Sequence, residues 1–303
     1  MANLGVKLVG IEMKNPVMVA SGTFGSGEEY SQFFDLNKLG ALVTKSMTLR
    51  EEMGNPPPRI CETPGGMLNS IGLQNPGVTH FLQVDLAFLS QYEVPVIASV
   101  AGTSVEEYVA VIERLTDAKG ISALEVNISC PNIKKGGVYF GLDPEMATEV
   151  VRQAKSVSKY PLIVKLTPNV TSISEIAKAV EAAGADALSL VNTFFGMSID
   201  VETFRPRLGS GTGGLSGPAI KPLAVRMVYE VARAVSLPVI GMGGIMTTED
   251  AVEFFLAGAT AVAVGTANFV NPRASLDIIE GLDRFLERRG FEHISEIVGK
   301  VKM

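Results

Sequence analysis

The chain has 303 residues, 47% of them hydrophobic and 19% charged, the profile of a packed soluble protein and not of a disordered one. Its 26 Lys and Arg against 32 Asp and Glu leave a net charge of −6 with no basic run, which argues against nucleic acid as a partner. Two cysteines and two histidines are too few for a disulfide framework, a four-Cys zinc site, an iron–sulfur cluster or a His-rich metal centre, so no metal site is expected.

In chain order, Met1 to Lys14 alternates Val6, Leu8, Ile11 and Met13 around Gly10 and predicts a short β-hairpin. It lacks the apolar core of about 7–15 residues that a signal peptide carries. Eight short apolar runs follow, at Val17–Ala20, Ala41–Thr44, Val96–Val100, Ala123–Ile128, Leu162–Leu166, Ala187–Val191, Pro238–Gly241 and Ala261–Val264. Helical patterns lie between most of them, at Val105–Ala118, Pro144–Ser158, Ile173–Ala183, Ala219–Val235 and Thr248–Ala257, and a last one, Ser275–Arg288, follows the eighth run. Continuous apolar strands alternating with amphipathic helices mean parallel strands covered by helices. Eight such units favour an α/β TIM (β/α)8 barrel with an N-terminal β-hairpin and rim insertions over an open doubly wound sheet. The chain length suits one such domain spanning 1–303, since a barrel of this kind typically takes about 250 residues. The uncharged stretch from Phe254 to Pro272 contains glycines, Asn268, Asn271 and a proline, and is read as helix end, buried strand and polar loop, not as a membrane span. Sparse cysteine fits the cytoplasm.

Polar residues close nearly every run: Ser21 after the first, Lys45-Ser46 after the second, Ser99 in the third, Asn127 in the fourth, Lys165 in the fifth and Asn192-Thr193 after the sixth. Gly243-Gly244 and Gly265-Thr266 follow the seventh and eighth. In a barrel these positions converge on the C-terminal rim, where active sites of this fold sit, and the loops after strands seven and eight commonly bind phosphate through backbone N–H groups. Gly209-Ser-Gly-Thr-Gly-Gly214 matches a dinucleotide fingerprint by letter, but no buried strand precedes it, so it is read as a loop leading to Pro218.

Lys45 and Lys165 can serve as a Schiff-base nucleophile, a phosphate clamp or a fixed cation beside an electron-rich cofactor. Asn69, Asn75, Asn127, Asn132 and Asn192 make a rim rich in amides, which suits a planar ligand with alternating C=O and N–H groups. Cys130 lies just beyond the fourth strand, before a polar, glycine-bearing segment to Gly141 that could close as a lid; its thiol could be a nucleophile or a general base. Cys61 is read as a packing or loop residue, and His80 and His293 as surface or packing residues.

Together, Asn69-Ser-Ile-Gly-Leu-Gln-Asn75-Pro-Gly, Glu125-Val-Asn-Ile-Ser-Cys-Pro-Asn132, Lys165-Leu-Thr-Pro-Asn169, Gly211-Thr-Gly-Gly-Leu-Ser-Gly217-Pro, Ile240-Gly-Met-Gly-Gly-Ile245 and Ala263-Val-Gly-Thr-Ala267 resemble the class 1 dihydroorotate dehydrogenases. The likeness runs in order along essentially the whole chain. It implies an FMN-dependent oxidation of (S)-dihydroorotate to orotate in pyrimidine biosynthesis, with Cys130 as general base and hydride passing to the flavin. It implies further that Lys45, Asn69, Ser70, Ile71, Gly72, Leu73, Asn127, Asn192 and Thr193 hold the substrate. FMN contacts would come from Ser21, Lys45, Ser46, Ser99, Asn127, Lys165, Val191, Gly217, Gly243, Gly244, Gly265 and Thr266, with the last four at the phosphate. Lys165 would stabilise the reduced flavin as a fixed cation. Ser99 departs from the Asn that many relatives carry, which puts its flavin contact in doubt.

The stretch Leu215 to Pro222 and the helix Val225–Ala234 look most like class 1B, in which a second subunit carries FAD and a [2Fe–2S] cluster and reduces NAD+. That implies a homodimer of this chain joined by the electron-transfer subunit into a heterotetramer. Three alternatives stay open: a fumarate-dependent class 1A homodimer, a flavin-free aldolase or isomerase barrel using Lys165, and a non-catalytic flavoprotein subunit. A class 2 enzyme, membrane-bound and with Ser as base, fits neither the short hairpin nor Cys130.

Overall fold

A computed structural model describes residues 2–129 and 140–302. Eight parallel strands close into a barrel: Val17–Val19, Ala41–Val43, Val96–Val100, Ala123–Asn127, Leu162–Lys165, Ala187–Leu190, Val239–Met242 and Ala261–Val264. They neighbour one another in chain order, and the eighth pairs with the first through Val262↔Val17 and Val264↔Val19, which shuts the ring and leaves no open sheet edge. The closed barrel is the architecture expected from the eight apolar runs.

Side chains on these strands alternate between two cores, as the two-residue strand period requires. On the fourth strand, Leu124 and Val126 face outward into the helix layer, while Ala123 joins the barrel interior with Met18, Val43, Ile97, Ile163, Ala187, Ile240 and Ala261. The N-terminal hairpin, Val6–Leu8 paired with Ile11–Met13, adds Leu8, Ile11 and Met13 to that interior cluster and plugs the N-terminal mouth of the barrel.

Four of the outer helices start where the sequence supplies a side-chain N-cap. Ser104 accepts from Glu107 N–H ahead of Val105–Leu115, and Asp143 accepts from Glu145 and Met146 N–H ahead of Pro144–Val157, with proline in the first turn. Ser172 caps Ile173–Ala182, Thr247 and Asp250 form a capping box for Thr248–Ala257, and Lys221–Ala234 and Ala274–Arg289 complete the outer layer.

Two features depart from the sequence expectation. A helix fills the connection between the second and third barrel strands, Gly77–His80 running through a π-helical turn at Phe81–Asp85 into Leu86–Leu89. Val78, Leu82, Leu86 and Leu89 recur at helical spacing, and the wider turn shifts the buried positions to Val78, Phe81, Leu86 and Leu89. The rim insertions also form a sheet. Ile60–Thr63, Gly66–Asn69, Gly213–Ser216 and Phe194–Gly196 pair antiparallel over the barrel mouth. The end of the Gly209–Gly214 stretch read as loop is therefore strand, and Cys61 lies half-buried on the outer strand of that sheet.

Candidate active site

A cavity opens at the C-terminal end of the barrel, beneath the rim sheet. Most of the residues singled out from strand ends line it: Ser21, Lys45, Ser46, Asn127, Lys165, Val191, Asn192, Thr193, Gly243, Gly244, Gly265 and Thr266. The turn after the rim strand Gly66–Asn69 adds Asn69, Ile71, Gly72 and Leu73, and Ala20, Ile220, Met242 and Ala263 supply apolar wall. In the closed strand order the fourth strand, which carries Asn127, lies across the ring from the eighth, so Asn127 and Gly265 stand on opposite sides of the mouth.

On the glycine side, Gly243 and Gly244 take φ of +121° and +82°, and a Cβ on Gly244 would sit 2.8 Å from the Gly217 carbonyl oxygen. The turn thus needs glycine to bring backbone this close. At Gly265 a Cβ would meet only Ala20, at 3.7 Å, so packing does not demand glycine there and its bareness keeps the cavity wall open. The start of the neighbouring helix is occupied by its own residues: Asp250 accepts from Met246 and Thr247 N–H. Lys221 is nearby, yet its ammonium is clasped by Asp250 at 2.7 Å and Glu253 at 2.6 Å. Hydrogen bonds that Lys221 donates to those two carboxylates hold it above the usual lysine value. Burial works to raise the Asp250 carboxyl, but Lys221 and the two backbone N–H groups outweigh it and hold Asp250 below the usual value. Any phosphate on this side would meet backbone and Thr266, whose Oγ1 donates to Ser216 Oγ at 2.8 Å.

The opposite side is a continuous hydrogen-bond chain. Asn192 Nδ2 donates to Ser129 Oγ at 2.7 Å, Ser129 Oγ to Asn127 Oδ1 at 2.7 Å, and Asn127 Nδ2 to Ser46 Oγ at 3.2 Å. Ser46 Oγ lies 2.8 Å from Ser99 Oγ, which donates to Glu125 Oε1 at 3.0 Å. Ser189 Oγ donates to the other carboxylate oxygen at 3.0 Å. Lys165 Nζ sits 3.9 Å from Glu125 Oε1 and donates to Ser21 Oγ at 3.1 Å. Glu125 is 2% exposed, so its charge is answered entirely by protein groups.

Three of the residues assigned to ligand contacts stand outside the cavity wall. Ser99 is wholly buried beneath Ser46, Ser70 is held by Asn55 and Ser210, and Gly217 lies under Gly244 and against Gly66. Asn75 turns away from the amide rim: its Oδ1 accepts from Thr48 and Gly77 N–H and its Nδ2 donates to Leu73 O, which ties the rim turn to the barrel. Cys130, Asn132 and the segment read as a lid up to residue 139 lie outside the described residues. His80 is near Asp85 on the surface, and His293 caps a short 3-10 turn. Glu125 and Ser189, the buried centre of the polar chain, went unassigned from sequence. Their signal was present in the strand period, because Glu125 is in phase with Asn127 and Ser189 with Ala187.

The donor set suits a flat ligand carrying a phosphate. Apolar side chains offer walls for a ring, amides, hydroxyls and an ammonium face it on one side, and bare glycine backbone lies opposite. Among the described residues no group of three His, Cys, Asp or Glu could hold a metal ion, and no helix is long and apolar enough to cross a membrane.

The dihydroorotate dehydrogenase family model matches residues 3–286. The chain is 58% identical over 300 residues to the dihydroorotate dehydrogenase B (NAD(+)), catalytic subunit, of Anoxybacillus flavithermus, covering 99% of this chain and 96% of that one. It is 58% identical over 299 residues to the protein of the same description from Alkaliphilus oremlandii, with 99% of both chains covered. The likeness to the Geobacillus sp. protein of that description is 57% over 300 residues.

Proposed function

The chain belongs to the dihydroorotate dehydrogenase family, and we propose from that premise that it oxidises (S)-dihydroorotate to orotate in pyrimidine biosynthesis, as the catalytic subunit of a class 1B, NAD+-reducing enzyme. The observation that carries the reading is one cavity at the barrel mouth that sets Asn127 across from the bare Gly265, in a chain matched by that family over residues 3–286.

When bound, FMN supplies the acceptor for the hydride that leaves the substrate. Gly243, Gly244, Gly265 and Thr266 would hold its phosphate, and Ser21, Ser46, Lys165 and Val191 its ring system. Ser99 and Gly217 would support that site from behind. The substrate's ring and carboxylate would be held by Lys45, Asn69, Asn127, Asn192 and Thr193, with the Ser70–Leu73 turn closing over them. Amides suit this task, since each presents a donor and an acceptor to an imide-like edge. The Cys130 thiolate would take the proton from carbon 5 as hydride leaves carbon 6, and the Lys165 ammonium would offset the negative charge gained by the hydride acceptor.

Electrons would leave through a partner subunit carrying FAD and a [2Fe–2S] cluster and reach NAD+. The description of the relatives as catalytic subunits supports such a partner. Phe195, Met197, Ile199, Val201 and Phe204 are exposed on the rim, Phe204 by 87%, and would offer apolar surface to another chain, in keeping with a homodimer of this chain within a heterotetramer; the enzyme would work in the cytoplasm.

The test is anaerobic mixing of the purified protein with dihydroorotate, which should bleach its visible flavin absorbance. Cys130→Ser should slow that step by roughly 10²–10⁴, the usual worth of a positioned base. The rate in the unsubstituted protein should climb with pH toward the range near 8.5, about where a free thiol ionises. A colourless protein, or bleaching at an unchanged rate in Cys130→Ser, would defeat this reading.

A further inference from the structure

The carboxylate of Glu125 is buried behind the cavity wall, yet a chain of hydrogen bonds from the cavity floor ends on it. Donation passes from Asn192 through Ser129, Asn127, Ser46 and Ser99 to Glu125 Oε1, while Ser189 fills Oε2. An acceptor-only group at the end of such a chain fixes its direction. Each hydroxyl hands its proton toward the carboxylate, and the amides of Asn127 and Asn192 are oriented in turn. Lys165 stands 3.9 Å away with its other contact to Ser21, so its ammonium is placed by the carboxylate below and the hydroxyl beside it. A buried carboxylate this close to a buried ammonium also reduces the positive field that a ligand above Lys165 meets.

We propose that Glu125 is the positioning residue of this site: its carboxylate fixes the Lys165 ammonium and the polarity of the Ser99–Ser46–Asn127 chain, and its charge tempers the field imposed on the bound flavin. The second half of this statement rests on the flavin reading of the cavity; the first does not.

The variant is Glu125→Gln, which keeps the shape and an acceptor for Ser99 but removes the charge. In the FMN-loaded protein, spectroelectrochemical titration should show the two-electron potential raised, because loss of a nearby negative charge favours the electron-rich flavin. The expected shift is about tenfold in the equilibrium, or about 30 mV for a two-electron couple. Glu125→Asp should fall between the two, and it carries the same test if Glu125→Gln does not fold. In protein stripped of flavin, acylation of Lys165 by a small anhydride, scored by mass spectrometry against exposed Lys7, should be several-fold faster in Glu125→Gln. An unchanged Lys165 reactivity overturns the positioning role whatever the flavin does. An unchanged potential in protein that retains FMN overturns the tempering role. A wild-type protein that never binds FMN defeats the functional reading alone, and the acylation result still decides for or against Glu125.

Discussion

The two ends of the barrel interior are built from the same strands at the same inward phase, yet they are chemically opposite. Near the N-terminal mouth the inward residues are Met18, Ile97, Ala123, Ile163, Ala187 and Ile240, sealed by Leu8, Ile11 and Met13 of the hairpin. Two residues further along, four of these six strands carry Ser99, Glu125, Lys165 and Ser189, all buried, while the other two carry Ala20 and Met242. An apolar layer stabilises by removing hydrocarbon from water, whereas a buried charged layer gives little or no net stability even when fully paired. The lower end holds the barrel together, and the upper end is organised around what binds in the mouth.

The sharpest way to break this contrast is to unpair the upper layer. Lys165→Met should cost about 3–5 kcal/mol, since it strands Glu125 without a cation, and adding Glu125→Gln should recover most of that loss. Urea denaturation of the flavin-free proteins measures both, and a double variant no more stable than the single would show that the charges are not what matters there. Next comes the lower layer. Ile240→Ala should lower stability by about 2–5 kcal/mol through the cavity it leaves. The flavin potential should stay where it was, and a shift comparable to that of Glu125→Gln would mean that the two layers are not separate.

The smallest effect lies outside the barrel. Asp250→Asn, which opens the clasp on Lys221, should cost up to about 1 kcal/mol. Because Asp250 is held below its ordinary 3.8, its stabilisation is complete above that pH and is lost as pH falls through the lowered value. Lys221, held above 10.5, contributes below that pH and loses its share only as pH rises through the raised value. Thermal midpoints recorded against pH should therefore fall less steeply at the acid end in Asp250→Asn. An acid limb identical to that of the unsubstituted protein would remove the clasp from the account of stability.

Periodicity and turn residues were enough to read the barrel, because a strand buried on both faces must be apolar throughout and a helix covering it must be amphipathic. The polar strand ends were legible for the same reason, since Lys165 and Asn127 close runs that are otherwise largely apolar. The glycines after the seventh and eighth strands were likewise visible by position. What could not be read was which polar residues face the cavity and which stand behind them. Ser99 looked like a ligand contact and is a link between Ser46 and Glu125; Asn75 looked like part of the amide rim and is a tie for the Leu73 turn. Glu125 sat inside a recognisable motif without a role, because its partners Lys165, Ser99 and Ser189 come from three other strands. The sequence by itself determined the ring of strands, the N-terminal hairpin and most of the residues at the mouth. The rim sheet and the direction of the polar chain were decided only by tertiary structure, since pairing across a closed barrel joins residues that are far apart along the chain.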